Sequence, residues 1–335
     1  MSVPIVAFFN NKGGVGNTSL VYHLAWMYSD LGVRVVAADL DPRANLTAAF
    51  LEEEYLEDYW GKGQPTIGRC VEPLKRGFGD IAEPGLERVS DNLGLLVGDL
   101  SLSGFEDELS EAWPKCSDGD ERAFRVMSAF WRIMQRAAEQ WRARFILMDL
   151  SPSRGAINRA ALIAADYVAV PLSPDLFSLQ GLQSLGPTLR QWRTEWTGRT
   201  SKNPDKTLAL PVGRMEPAGY IVLLHSIRLD RPVKAYDKWM ARIPPSYRRY
   251  VLGQDAAAAA VAPADDPNCL SLLRHYRSLM PMAQEARKPM FHLKPADGAI
   301  GAHYDAAQRA YYDFRQLASN IAVCIGEPLP DAGTS

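Results

Sequence analysis

The sequence predicts an α/β fold: a doubly wound, mostly parallel sheet with helices on both faces. Three observations carry that expectation. Apolar runs alternate with helical patterns along the chain, the arrangement that builds a parallel sheet covered on both sides. Two of the runs, Phe145–Leu150 and Tyr167–Pro171, are almost continuously apolar, as strands buried on both faces should be. A Gly-rich stretch at residues 10–19 lies between an apolar run and an amphipathic one, which marks a strand-to-helix loop.

The elements follow in order. Val3–Phe9 is apolar and leads straight into the Gly-rich loop, so it is the first strand; the helix after it covers 18–31, amphipathic from Leu20 to Leu31. Further strands are expected at Val33–Ala38, Leu93–Val97, Phe145–Leu150, Tyr167–Pro171 and Gly219–Leu224, with helices over 122–142, 156–165 and 178–196. A ligand belongs outside the carboxyl ends of such strands. Three segments read as loops or insertions. Residues 110–121 are acidic and broken by Pro114 and Gly119, 197–217 carry Gly, Pro, Ser and Lys, and 253–268 hold Ala256–Ala260 between Asp and Pro. The expected organisation is one domain over 1–326 with those insertions. A disordered tail is expected over 327–335, rich in Pro and Gly.

Bulk properties narrow the class. With 335 residues, 47% hydrophobic and 23% charged, the chain can bury an ample core. A net charge of −2 argues against a strongly basic nucleic-acid binder, though not against a local basic patch. Cys70, Cys116, Cys269 and Cys324 stand far apart with no Cys-x-x-Cys, and read as reduced thiols rather than metal ligands. No apolar run reaches the length of a membrane span and no signal peptide is visible. The expected location is cytoplasmic.

The chemistry concentrates in Asn-Asn-Lys-Gly-Gly-Val-Gly-Asn-Thr-Ser, residues 10–19. Gly13, Gly14 and Gly16 let backbone N–H groups turn towards a phosphate, and the following helix adds its positive end. Thr18 is placed to ligate Mg²⁺ through its hydroxyl. A phosphate loop ordinarily carries lysine just before its Ser/Thr, reaching the β- and γ-phosphates. Here Asn17 stands there. An amide brings no charge where a charge-assisted hydrogen bond is worth about 1.5–3 kcal/mol and a preorganised transition-state donor about 2.7–4 kcal/mol. The loss corresponds to roughly 100-fold in rate and a similar factor in affinity.

Lys12-Gly13-Gly14-Val15-Gly16-x-Thr18 resembles the deviant Walker A motif of the ParA/MinD family of SIMIBI-class P-loop ATPases. Residues 33–47, Val-Arg-Val-Val-Ala-Ala-Asp-Leu-Asp-Pro-Arg-Ala-Asn-Leu-Thr, resemble that family's second strand and its Asp-x-Asp-Pro-Gln segment. Residues 145–153, Phe-Ile-Leu-Met-Asp-Leu-Ser-Pro-Ser, resemble its Walker B strand and switch II. Weaker similarity runs through Ala164-Ala165-Asp166 to Gly181-Leu182 and around Lys288-Pro289-Met290-Phe291. The resemblance implies ATP and Mg²⁺ as cofactors and a ParA-like P-loop fold, with residues Lys12 to Ser19, Val15 and Asn17 included, around the nucleotide. It implies that Lys12 reaches across a dimer interface to the partner subunit's ATP. It implies that Asp39 and Asp41 position water beside the metal, and that Asp149 holds Mg²⁺ through a water. Pro152 and Ser153 fall in switch II. Arg43 stands where glutamine is usual, and either supplies part of the missing positive charge or points at solvent.

Basic residues gather towards the C-terminal half: Arg228, Arg231, Lys234, Lys238, Arg242, Arg248 and Arg249, interleaved with Tyr236, Trp239, Tyr247 and Tyr250, then Arg274, Arg277, Arg287, Lys288 and Lys294. The second group lies where the family contacts DNA non-specifically. A solvated face with snorkelling side chains is the other reading. Tyr304–Val323 is amphipathic but resembles the family's closing core helix, so membrane binding is not expected. The leading expectation is an ATP-dependent homodimeric switch for DNA or plasmid partition or cargo positioning, with a ParB-like or other stimulating partner. A non-catalytic nucleotide-binding scaffold is the alternative. A metabolic enzyme on the same fold ranks last, because the cysteines are not placed for an iron–sulfur bridge.

Overall fold

The computed structural model describes residues 2–223, 233–255, 261–276 and 278–329. The strands are β1 (Ile5–Phe8), β2 (Val35–Asp39), β3 (Glu87–Arg88), β4 (Leu93–Leu96), β5 (Phe145–Asp149), β6 (Tyr167–Leu172), β7 (Glu216–Leu223) and β8 (Cys269–Leu273). The helices before β5 are α1 (Asn17–Asp30), α2 (Asn45–Phe50), α3 (Glu53–Gly61), α4 (Ile67–Lys75), α5 (Glu106–Lys115), α6 (Glu121–Met127) and α7 (Ala129–Trp141). After it come α8 (Ala156–Ala164), α9 (Leu176–Thr200), α10 (Val233–Met240), α11 (Ile243–Ser246), α12 (Leu279–Ala286) and α13 (Ala302–Cys324).

Among the described residues the strands form one sheet in the order β3-β4-β2-β5-β1-β6-β7-β8. Every pair is parallel except the short β3 against β4. The predicted doubly wound, mostly parallel architecture is therefore met. β1, β2 and β5 are buried along their whole length, which explains their unbroken apolar runs. One apolar layer packs α4 to α9 against the sheet. The other packs α1, α12 and α13 against its opposite face.

Register then aligns the carboxyl ends. Phe8 pairs with Asp149 across β1 and β5, and Asp39 pairs with Asp149 across β2 and β5. The chain leaves β1, β2 and β5 at the same edge, so three loops open side by side. Gly98, just past β4, fits against this edge. A Cβ there would come within 2.8 Å of the Asp39 carbonyl oxygen and 3.0 Å of its carboxyl carbon.

Several expectations need correction. The helix expected over 122–142 is two helices meeting at Ser128, whose hydroxyl donates to the Phe124 carbonyl 2.7 Å away, a back-bond that bends helices. The first half of 110–121 is not a loop. Leu109, Ala112 and Trp113 are buried along α5, the acidic Glu106, Asp107 and Glu108 occupy its first turn, and Pro114 falls in the last, where it forfeits a single backbone N–H bond. Likewise α9 runs through Pro187 to Thr200, so only the rest of 197–217 is irregular before β7. In 253–268, residues 256–260 lie outside the described residues, and Pro263–Asp265 form a 3-10 turn. Residues 330–335 of the expected tail also lie outside. Strands β3 and β8 were not foreseen. Cys70 and Cys116 are buried thiols, each pushed up to about 12 by burial. No helix among the described residues is long and apolar enough to cross a membrane.

Replacing Gly98 by alanine should press a methyl group into Asp39. We expect a loss of about 1–3 kcal/mol of stability, as for other overpacked core sites, read as a lower urea midpoint at unchanged slope. An unchanged midpoint would mean that the strand ends are not packed this tightly.

Candidate functional site

The site begins where β1 ends. Asn10 is buried; its amide donates to the Pro171 carbonyl at 2.6 Å, and its side-chain oxygen accepts the Lys12 N–H at 3.0 Å. These bonds fix the start of the loop against β6. Gly14 and Gly16 take left-handed backbone angles, φ 74° and 82°, which side chains other than glycine adopt only with strain. Gly16 precedes α1 and offers no capping side chain. The first N–H groups of α1 therefore point, uncapped, into a cavity of about 600 Å³ lined by residues 12–19. That is the geometry of an anion site.

Three carboxylates crowd one end. Asp39 and Asp149 are fully buried and Asp41 nearly so. Asp39 accepts from the Thr47 N–H at 2.8 Å and the Asp41 N–H at 3.2 Å. Asp149 accepts the Thr18 hydroxyl at 2.7 Å through one oxygen, while its other oxygen has no partner. Burial first, then the Asp41 charge, pushes Asp39 up to about 7. Burial and the charges of Asp39 and Asp41 hold Asp149 well above the usual carboxylate range. Excess negative charge around one orphaned oxygen and one hydroxyl suits a cation bound nearby. No three His, Cys, Asp or Glu side chains among the described residues converge to ligate a metal directly. A Mg²⁺ ion here would thus be held by Thr18, phosphate oxygens and water, with Asp149 behind the water, which is a set these residues fit.

The expected cations are present but engaged. The Lys12 ammonium lines the cavity and pairs with Asp175. Burial raises Asp175, but Lys12 and the Ser178 N–H outweigh it and hold the carboxyl below its ordinary value. Arg43 grips Asp41 with Nε at 3.0 Å and Nη2 at 2.6 Å. Asn17 is 8% exposed, and its side-chain oxygen is buried without a partner. Leu150 and Pro152 also border the cavity; Pro152 lies against Gly13, 3.5 Å from where a Cβ would stand. Behind them Asn158 donates to the Ser151 and Ser153 carbonyls at 2.6 and 2.7 Å, bracing the loop. The Ser153 side chain is exposed.

The far wall was not legible in advance. Tyr22 and His23 of α1, Asn45, Ala48 and Ala49 of α2, and Met280, Ala283 and Gln284 of α12 line it, joined by Arg287 and Lys288. His23 ties the wall to the loop helix: Nδ1 bonds the Ser19 carbonyl at 2.7 Å and Nε2 accepts the Met290 N–H at 3.1 Å. Its ring stacks on Phe314 with centroids 4.9 Å apart. Burial pushes His23 down to about 4, the Ser19 bond only partly opposing it. The i, i+4 spacing of Ser19 and His23 was a usable signal; nothing local pointed to α12, more than 250 residues away.

The suggested DNA residues do not share one surface in the same way. Arg287 and Lys288 face the cavity; Arg287 donates to the Leu51 carbonyl at 2.6 Å and Lys288 pairs with Asp297 at 2.7 Å. Arg274 is exposed and 3.6 Å from Asp313, and Lys294 is exposed. Arg277 lies outside the described residues. In the first basic group Arg248 pairs with the buried Asp266 at 3.2 Å, and Arg242 stacks over Trp239. Arg228 and Arg231 lie outside the described residues, as do the side chains of Lys234 and Tyr236.

A family profile described as "AAA domain" matches residues 3–201, more than half of the chain. Among curated relatives, the sporulation initiation inhibitor protein Soj of Bacillus subtilis is 28% identical over 186 residues, covering 56% of this chain and 64% of Soj. The chromosome partitioning protein ParA of Caulobacter vibrioides is 28% identical over 189 residues, covering 56% of this chain and 63% of ParA. The chain thus spans a little under two thirds of the length of these relatives. The structure of protein DIP2308 from Corynebacterium diphtheriae superposes with a TM-score of 0.70 at 20% identity, over 96% of this chain and 99% of that one. An ATP complex of an McdA variant from Cyanothece gives 0.59 at 13% identity, over 97% of both chains. At these identities the two structures bear on the fold alone.

His23 makes stability depend on pH. Its folded pKa lies below the ordinary 6.5, so the unfolded chain takes up the proton first as pH falls. The stability present above pH 6.5 is then lost towards pH 4. Between pH 7 and 5 the loss is about 2 kcal/mol. The raised carboxylates Asp39 and Asp149 run the other way, gaining stability as pH falls, so a comparison isolates His23. In urea titrations His23→Gln should be less stable at pH 7, with the gap to the unmodified protein closing by that amount at pH 5. A gap independent of pH would mean His23 is not buried neutral.

Proposed function

The chain belongs to the AAA-domain family and is of the ParA/MinD type, and from that premise we propose that it is an ATP- and Mg²⁺-binding dimeric switch. The observation that carries the reading is the uncapped start of α1 facing a cavity bordered by Thr18 and Arg43, whose partners are the buried carboxylates Asp149 and Asp41. Backbone N–H groups of residues 13–18 would hold the phosphates. Thr18 and Asp149 would fix the metal, which when bound neutralises charge on the phosphate oxygens. Asp39 and Asp41 would orient water. Lys12 would leave Asp175 to serve the partner subunit's nucleotide. ATP appears in the name of one structural relative and chromosome partitioning in that of one curated relative, which supports a role in DNA or plasmid partition or cargo positioning. We extend it to a cytoplasmic protein with a ParB-like or other stimulating partner, non-specific DNA contact through Arg274, Arg277 and Lys294, and no membrane attachment.

Hydrolysis should be slow. Asn17 leaves the loop without its lysine, and Arg43 occupies Asp41. These two facts also favour the second reading, a scaffold that binds nucleotide without turning it over. Sedimentation velocity in Mg-ATP, followed at a nucleotide wavelength, separates them when combined with a phosphate-release assay. We expect a dimer carrying nucleotide, with turnover raised about 100-fold in Asn17→Lys. A nucleotide-bearing protein with no turnover in either form would favour the scaffold. Failure of both proteins to bind would refute the switch.

A further inference from the structure

Four cationic side chains line the cavity: Lys12, Arg43, Arg287 and Lys288. Lys12 and Lys288 each pair with a carboxylate, Asp175 and Asp297. Arg287 is tied to the Leu51 carbonyl and lies by Tyr22, whose hydroxyl feels its charge. Tyr22 is five residues along α1 from Asn17, about 7.5 Å at the rise of a helix, so Arg287 serves the other end of the cavity. Arg43 alone stands at the carboxylate end, where the fields of Asp41, Asp149 and Asp39 all reach it.

Its setting allows movement. The Arg43 side chain is 60% exposed and only its head is held, while Asp41 beneath it is buried. It projects from a tight turn in which the Ala44 N–H donates to the Asp41 carbonyl at 2.8 Å and Ala44 adopts φ 54°. A guanidinium fork fits carboxylate and phosphate oxygens with the same geometry. Phosphate bound at α1 would therefore compete with Asp41 for the same fork. Nearby, the buried and unpartnered oxygen of Asn17 marks the place where a cation is missing from the loop.

We propose that Arg43 is the phosphate-binding cation that takes over from the absent loop lysine, held by Asp41 in the free protein and transferred to nucleotide on binding. The inference rests on the nucleotide-binding reading above and deepens it. It makes Asn17 and Arg43 a compensating pair: a lysine at position 17 and an arginine at 43 are two ways of supplying one charge.

A double-mutant cycle tests this by calorimetric titration of Mg-ATP into the unmodified protein, Arg43→Gln, Asn17→Lys and the double variant. Arg43→Gln should weaken binding about tenfold or more on its own, the loss of one charge-assisted contact. In the Asn17→Lys background the same change should matter by no more than about twofold. Thermal melts without ligand establish that each variant is folded. Equal weakening in both backgrounds, or tighter binding by Arg43→Gln, would overturn the proposal while leaving nucleotide binding intact. If none of the four proteins binds, the nucleotide reading falls and takes this inference with it.

Discussion

Parallel register across β2, β5 and β1 is the constraint on which the rest of the molecule turns. Because Asp39 and Phe8 both face Asp149 across neighbouring strands, the phosphate loop and the buried carboxylates must open at one edge. Burying like charges together is expensive, and the raised pKa values of Asp39 and Asp149 are the visible result. The fold offsets part of that cost with the Thr47 N–H, the Thr18 hydroxyl and Arg43. It leaves one Asp149 oxygen without a partner. A cation beside that oxygen would relieve the repulsion, so its binding would stabilise the fold.

The second wall makes the cavity more than a loop at a strand end. The segment that follows α12 reaches the loop helix through His23, which accepts the Met290 N–H, and reaches the end of α2 through Arg287, which donates to the Leu51 carbonyl. Arg287 does so from a left-handed backbone angle, φ 48°, a conformation that costs a residue with a Cβ about 1 kcal/mol or more. Two distant segments are thereby clasped around α1. Movement of α12 would be felt at Ser19, one residue past the threonine that faces Asp149.

The sheet and the near half of the site were legible because their signals are local. Buried strands read as unbroken apolar runs, and glycines at 14 and 16 follow from the backbone angles that the loop needs. The far half was not legible. Met280, Ala283 and Gln284 carry no pattern that sets them apart from any helix face, and only tertiary packing brings them to Tyr22. The misread stretch at 110–121 has a different cause. Pro114 and Gly119 look like loop residues, but the burial of Leu109, Ala112 and Trp113 against the core outweighs local propensity and the proline's lost N–H bond.

Asn17 carries a consequence that the sequence alone left open. An amide there carries no charge, and its oxygen is left without a donor. The cations nearest the loop are each held by a carboxylate, Lys12 by Asp175 and Arg43 by Asp41. Both pairs must give way before either cation can serve a phosphate. Each has a buried or capping carboxylate to lose, so the barrier lies in breaking existing ion pairs rather than in ordering a mobile side chain. The two ion pairs thus tie these cations to Asp41 and Asp175, residues that follow the carboxyl ends of β2 and β6.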